Sequence, residues 1–501
     1  MRVDNVVILG GGTAGFMAAL TLKIKHPELA ITVIRSKEIG IIGVGEGTTP
    51  GVPRHLHGYL NLDPGEFYRQ ARPTWKLGIR FLWGPRRSFD YTFGFQVDWK
   101  WNNLSKSNGF YCEEQFEYVD IASALMSHDR AFVRQPNGDP LINRNLAYHL
   151  ENETFVSYLE GQAARVGIRV RDETVQEAPL GDEGVAGFRL SSGELLTADL
   201  YVDCSGFRSF LLARALAEPY VSFQSTLFCD RAVASGWDRT DEPIKPYTTA
   251  ETMNSGWCWQ IEHEHRIHRG YVYSSAFISD EEAEVEFRAK NPQARATRIV
   301  KFPSGRYRNS WVKNVVAVGN ASGFVEPLES TSLMVIGYEC RLLAELLTDC
   351  NREPGPASVG VYNCEVGRTW DTIRQFLAIH YRFNRRLDTP FWRACLAEVD
   401  LVEARPLVDY YLENGPSLLP RAIVLGNGDP FGMEGYLAML VGQKVPYRRV
   451  YVPSEEEKRI WDSIRTENHV RAASGLTTSE ALAAIRAPSW TWYAGYYDFM
   501  K

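Results

Sequence analysis

The hydrophobic positions along the chain change period several times, and each change marks an element. Asn5 to Leu9 is an apolar run of strand length, GGGTAG follows as a turn, and from Ala14 to Lys25 apolar residues recur at helical spacing until Pro27. A second strand, ITVIRS from Ile31 to Ser36, completes a βαβ unit, the order in which a dinucleotide-binding fold opens. Tyr148 to Val166 has a helical pattern, and GIRVRDETVQEA, FRLSSGEL and ADLYVDCSG read as strands separated by turns. From about residue 215 to 290, β-branched and aromatic residues alternate with polar ones, which predicts an antiparallel sheet. VKNVVAVGNASGF, Val312 to Phe324, returns to a strand and a glycine turn before an apolar helix. From about Thr331 onward helices dominate, among them TWDTIRQFLAIHYRFNRRL and TTSEALAAI, where Thr477 and Glu480 fit a capping box. The pattern predicts an α/β protein with a discontinuous nucleotide-binding module over 1–110, 145–215 and 295–345, an inserted β-sheet over 216–294 and a mainly helical region over 346–501.

Composition narrows the classes of function. With 501 residues the chain exceeds one ordinary domain, and it is 45% hydrophobic and 23% charged, as soluble globular proteins are. A net charge of -6 without a long basic run argues against nucleic acid as a partner. MRVDNVVILGGG carries charge where a signal peptide needs an apolar core, and no apolar run has the length of a membrane span, so a cytoplasmic protein without membrane contact is expected. The eight cysteines are scattered, with no CxxC pair and no zinc spacing, and read as reduced and mostly buried.

Five stretches carry candidate chemistry. In GGGTAG, Gly10, Gly12 and Gly15 have the spacing GxGxxG between a strand and a helix, so that backbone N–H groups can approach a pyrophosphate. The acidic residue that usually ends the second strand and holds a ribose is replaced by Arg35. IIGVGEGTTP, Ile41 to Pro50, is either a plain surface loop or a glycine-flexible strap over a cofactor. DCSGF, beginning at Asp203, and VGNASGFVEP are two small-residue turns of the kind found in FAD enzymes that use one sheet twice; the second has Asn320 where an aspartate usually meets the ribityl chain. In SGWCWQIEHEHR, Trp257 and Trp259 would share one face of a strand, as a wall of indole or as ordinary packing. His263, His265 and His268 have a spacing open to a metal but sit on a charged turn, and no metal is assigned to them. Trp99, Trp101, Trp490 and Trp492 could equally stack on a flat substrate or fill core.

Taken in order, GGGTAGFMAA, GVGEGTTP, PTWKLGIRF, GWCWQI, GYVYSS, FVEPLEST and FLAIHYRFNRRLDTPFW resemble the flavin-dependent halogenases of the tryptophan-halogenase type, over roughly residues 1–395. The resemblance implies an FAD-binding fold like that of aromatic hydroxylases, with FAD held by Gly10, Gly12, Thr13, Ala14, Gly15, Arg35, Gly45, Glu46, Gly47, Asp203, Asn320 and Leu333. It implies that reduced FAD comes from a separate flavin reductase and reacts with O2 to a hydroperoxide. A halide on the backbone amides of Thr331 and Ser332 then attacks it, and the hypohalous acid crosses a channel to Lys76, with Glu329 as companion. A lysine in a narrow, partly dry channel has its charged form disfavoured, so it can donate a hydrogen bond to the oxidant or, when neutral, form a haloamine. A nearby carboxylate can take the proton lost from the ring. Trp257 and Trp259 would keep organic substrate away from the flavin.

The chain departs from the family pattern at two places. Glu262 stands where WxWxIP has proline, which should alter only the strand's exit, and Ser332 stands where glycine is common, which leaves the preference among chloride, bromide and iodide open. The implied activity is halogenation of an electron-rich aromatic compound of indole or phenol type; free tryptophan is not assigned, because the resemblance is weakest in the carboxyl-terminal part that closes over it. A homodimer is compatible with the chain. Two other readings stay open: an FAD-dependent aromatic hydroxylase, which would not need Lys76, and a non-catalytic FAD-binding carrier or sensor.

Overall fold

A computed structural model of the chain describes residues 2–37, 45–93, 118, 120–142, 145–420 and 429–492. Trp99, Trp101, Cys112 and the Ile41–Val44 start of the strap lie outside the described residues. The opening pattern is realised within a residue or two: β1 (Asn5–Leu9), α1 (Thr13–Lys25) and β2 (Ala30–Arg35) form the βαβ unit. Its six-stranded sheet runs in the order Trp311–Val312, Val315–Ala317, Leu200–Asp203, β1, β2, Arg169–Asp172, and every pairing is parallel except the one at the Trp311–Val312 edge. Because three neighbouring strands point the same way, GGGTAG after β1, DCSGF after Asp203 and GNASG after Ala317 emerge at one edge. Residues distant in sequence thereby meet where open α/β sheets bind ligands.

A small second sheet carries the strap. β3 (Glu46–Gly47), β4 (Thr74–Lys76) and β5 (Ala147–Leu150) pair in the order β3-β5-β4, with Gly47 and Thr74 both opposite His149 and Lys76 opposite Ala147. The helical pattern expected from Tyr148 therefore begins later. Residues 147–150 are a buried strand, and the helix is Asn152–Arg165; a short, mostly apolar run does not tell the two apart.

The antiparallel sheet is larger than the 216–294 insert that the sequence suggests. Around β6 (Thr248–Met253), β7 (Gly256–Glu262) and β8 (Arg266–Tyr273), its order is Arg298–Lys301, Arg231–Asp238, β8, β7, β6, Gly78–Leu82, Phe89–Thr92. One edge thus comes from the stretch that follows Lys76, joined to β6 in parallel, and local pattern carries no sign of a pairing so distant in sequence. Asp280–Lys290, inside the expected sheet, is a helix. Ser279 and Glu282 form its capping box, and three acids in the first turn suit the helix dipole.

Two long helices follow the antiparallel sheet. α2 (Ser332–Asp349) lies against α1, and α3 (Pro356–Arg382) lies against α2 and continues the hydrophobic core into the carboxyl-terminal helices. The capping box of Thr477 and Glu480 is present. Among the described residues seven cysteines are free, four of them buried. No helix among the described residues is long and apolar enough to cross a membrane.

Candidate functional site

The nucleotide end is defined by missing side chains. A Cβ on Gly10 would stand 2.3 Å from the carbonyl oxygen of Cys204, and one on Gly15 would stand 1.8 Å from that of Gly10, so strand, turn and helix can close only with glycine there. At Gly12, by contrast, an added Cβ meets nothing within 4 Å. Gly12 is also the N-cap of α1 and offers no side-chain hydrogen bond, so the first amides of the helix, at Thr13, Ala14 and Gly15, are left for an anion. Arg35 packs its stem against Gly11 and pairs with Glu160 at 2.5 Å, while its Nε is buried without a hydrogen-bond partner among the described residues. An open cradle, free amides and an orphaned guanidinium nitrogen fit a dinucleotide.

The other two glycine turns frame that cradle. Asp203 is fully buried and accepts hydrogen bonds from the amides of Ser205, at 3.0 Å, and Leu211, at 2.7 Å, so its carboxylate shapes the DCSGF turn from within. Gly319, with φ +67°, donates its amide to Glu339 at 2.6 Å, and a Cβ there would come within 3.4 Å of the Ala14 Cβ. Asn320 is thereby held beside the first turn of α1. Burial pushes Glu339 up to about 8, against the hydrogen bonds it receives.

At the other end Lys76 is wholly buried on β4, and burial pushes its ammonium down to about 7, with Glu329 pulling in the opposite direction. Nζ donates to Ser330 Oγ at 2.7 Å and lies 5.4 Å from the centre of the Phe93 ring. Ser330 takes the left-handed conformation, φ 56° and ψ 38°, at the end of the Pro327–Glu329 turn, and this turns the chain directly into α2. Thr331 caps that helix without a side-chain bond, so the amides at Ser332 and Leu333 open the helix unpaired. The strap closes over this point. A Cβ on Gly47 would stand 2.7 Å from Ser330 Oγ and 3.3 Å from Thr248 Oγ1, while a Cβ on Gly45 would strike His263 at 2.5 Å. Glu46, between them, is half-buried, and the loss of solvent around its carboxyl pushes it up to about 7. Next to Gly47, His149 is held 2.9 Å from Thr248 Oγ1, and burial keeps its ring well below the usual histidine range.

Glu329 does not bond Lys76 directly. Its Oε1 lies 2.7 Å from Nε2 of His380 on α3, and both side chains are buried. The indole wall stands behind the same turn. Trp257 and Trp259 share a face of β7, with ring centres 6.1 Å apart, and Trp257 donates to Glu326 at 2.8 Å, three residues before Glu329. Trp259 lies over Gly270, where a Cβ would come within 2.0 Å of the indole, and its Nε1 has no partner among the described residues. Glu262 does more than alter the strand's exit: it is buried and pairs with Arg239 at 2.5 Å, while its carbonyl receives Thr74 Oγ1 at 2.5 Å.

Sequence reasoning missed Ser330 and His380. Ser330 stands between predicted residues, and its hydroxyl matters only because Lys76 arrives from 254 residues away. His380 did leave a signal, as the one imidazole in FLAIHY, where all six residues are buried. Of the remaining candidates, Trp492 stacks on Tyr68 and Trp490 packs edge-on against Trp492. His263 and His268 pack edge to face, His265 is exposed, and no group of three metal-binding side chains occurs among the described residues. A cleft of about 1120 Å³ opens between the residues after the strap, α2 and α3, reaching Gly51, Met334 and Gln375 and lined by Arg54, Arg306, Arg308, Arg341 and Arg368.

A nucleotide cradle on a parallel sheet, joined by a strap to a buried lysine, belongs to a flavin-dependent halogenase, an FADH2-dependent oxidoreductase that uses FAD, halide and O2 to halogenate an aromatic ring. The chain is a member of the tryptophan halogenase family, whose sequence profile matches residues 5–454. It is 35% identical to the 7-chloro-L-tryptophan 6-halogenase KtzR of Kutzneria sp. (strain 744), over 81% of this chain and 83% of that one. It is 32% identical to the tryptophan 6-halogenase ThaL of Streptomyces albogriseolus, over 78% and 79% of the two chains. Among solved structures it superposes on MibH, a lathipeptide tryptophan 5-halogenase, with a TM-score of 0.89 and 40% identity, covering 97% of this chain and 93% of that one.

Proposed function

We propose that the chain halogenates the indole of a tryptophan residue held in a peptide, with Lys76 and Glu329 as its catalytic side chains. The observation that carries this reading is the setting of Lys76: buried, pushed down to about 7, anchored to Ser330 Oγ at 2.7 Å and covered by the strap at Gly47. FAD lies along GGGTAG, Arg35, the Gly45–Gly47 strap, Asn320 and the start of α2 at Leu333; when bound and reduced, it supplies with O2 the oxidising power that turns halide into hypohalous acid. The amides of Thr331 and Ser332, at a helix start that favours negative charge, hold the halide. Lys76 receives the hypohalous acid and presents its halogen to the ring. Ser330 fixes the direction of Nζ, and Glu329 takes the ring proton. Trp257 and Trp259 form the wall that keeps organic substrate off the flavin side.

The peptide reading rests on the likeness to MibH, a lathipeptide tryptophan 5-halogenase. Reduced FAD reaches the chain from a separate reductase in the cytoplasm. The test is a mass-spectrometric assay with FAD, a generic flavin reductase, NADH, O2, bromide and catalase, offering free tryptophan, phenols and tryptophan-containing peptides in parallel. A bromine isotope pair on a peptide, absent with Lys76→Ala, supports the reading. Bromination of free tryptophan alone overturns the peptide part of it, and product formation that survives Lys76→Ala overturns the catalytic part.

A further inference from the structure

α3 carries a feature that the reaction as outlined does not use. From Phe376 to Tyr381 all six residues are buried, and His380 is fully so. Its ring is fixed on every side: Phe376 meets it edge-on with centres 4.9 Å apart, Phe81 lies 5.4 Å away, and its own carbonyl accepts Trp83 Nε1 at 2.9 Å. Nδ1 lies 2.9 Å from the carbonyl of Phe376, one turn earlier. A carbonyl can only accept, so Nδ1 carries a proton and donates it there. The 2.7 Å contact between Nε2 and Glu329 Oε1 needs a second proton of its own, because a ring lone pair facing a carboxylate oxygen would repel it. His380 and Glu329 therefore hold one proton between them. The contact with His380 thus engages Oε1 of Glu329.

We propose that His380 is the positioning residue of the active site. It ties Oε1 of Glu329 to α3, keeps that carboxylate from swinging onto the Lys76 ammonium, and leaves Oε2 to receive the proton of the halogenated ring. In that step the ring C–H bond breaks, its electron pair returns to the aromatic system, and the proton joins Oε2 while the shared proton stays between Oε1 and Nε2. The inference rests on the reading of Glu329 as the proton acceptor.

The experiment compares His380→Phe, His380→Gln, His380→Asn and Glu329→Gln with the unchanged chain, scoring brominated product, its kcat and KM, and hypobromous acid caught by a dye. His380→Phe is expected to lower kcat about a hundredfold with KM nearly unchanged and hypobromous acid output retained. His380→Gln, whose amide can still donate to Oε1, is expected to recover most of that loss, and the shorter His380→Asn is not. If His380→Phe does not fold, the difference between Gln and Asn decides. Equal kcat in those two, or a His380→Phe enzyme within twofold of the unchanged chain while Glu329→Gln is impaired, overturns the proposal. A Glu329→Gln enzyme with full kcat instead removes the reading of Glu329 on which it stands.

Discussion

The two ends of the site are built by opposite means. At the nucleotide end the chain leaves side chains out: Gly10 and Gly15 close the turn, and Gly12 leaves an empty place in front of free amides. At the lysine end it fills the space with ionisable groups. Lys76, Glu329, His380 and His149 are packed within a few strands and helices and tied to hydroxyls, carbonyls and one another. The first kind of site costs the fold little and gains affinity when ligand arrives; the second holds its charges buried at all times and is stable only because the surrounding core is large.

That contrast predicts different failures. The largest effect should come from Lys76→Ala, with halogenated product falling about 10³-fold while FAD affinity, by fluorescence quenching, stays the same. The same lysine burdens the fold. Its proton affinity is lower in the folded chain, about 7 against the usual 10.5, so unfolding takes up a proton between those values. Stability of the unchanged protein should therefore rise with pH in that window, by at most about 1.4 kcal/mol per pH unit from this group. Lys76→Met should be more stable than the parent by a few kcal/mol at pH 6, and the advantage should shrink towards pH 10 in urea titrations. An advantage that does not change with pH would mean that Lys76 is not held as a buried charge.

Gly12→Ala should show the reverse behaviour and a smaller effect. The residue sits at φ -88° and ψ -170°, which alanine adopts, with no atom near its Cβ, so the melting temperature without FAD should be unchanged. FAD binding should weaken at least about tenfold, roughly 1.4 kcal/mol, because the methyl group occupies the cradle. Unaltered FAD affinity would show that the pyrophosphate does not lie over Gly12.

The same contrast explains how much the sequence disclosed. GGGTAG is legible because its chemistry is local: strand, turn and helix are contiguous, and the spacing of the glycines is the geometry. The strands of the six-stranded sheet followed from the same local pattern, while their number and order came from the fold. The lysine end was legible only through its resemblance to a family, since nothing in TWKLG by itself separates a buried lysine from an exposed one. What escaped were partners created by folding. Ser330 becomes the acceptor for Lys76 when two segments 254 residues apart meet, and His380 faces Glu329 across 51 residues. The wider sheet escaped for the same reason, because the pairing of Gly78–Leu82 with β6 has no local signature.

The smallest effect separates the two tryptophans of the wall. Both side chains are buried, so shortening either to phenylalanine removes similar apolar volume. Trp257 in addition donates to Glu326 Oε1, an oxygen that Tyr381 also bonds, whereas Trp259 Nε1 bonds nothing among the described residues. Burial pushes Glu326 up from its ordinary 4.5 to about 7, and the bonds from Tyr381 and Trp257 hold it down. A group raised in this way favours the folded state fully below pH 4.5 and loses that favour as pH climbs through 7, where the buried carboxylate ionises. The indole N–H stabilises the ionised form, so its loss should cost more at pH 8 than at pH 5. Trp257→Phe should therefore be less stable than Trp259→Phe by about 1–2 kcal/mol at pH 8 and by less at pH 5, with the Trp259→Phe cost independent of pH. Equal costs at both pH values, read from urea midpoints, would mean that Trp257 serves by its volume alone and that Glu326 is held by Tyr381.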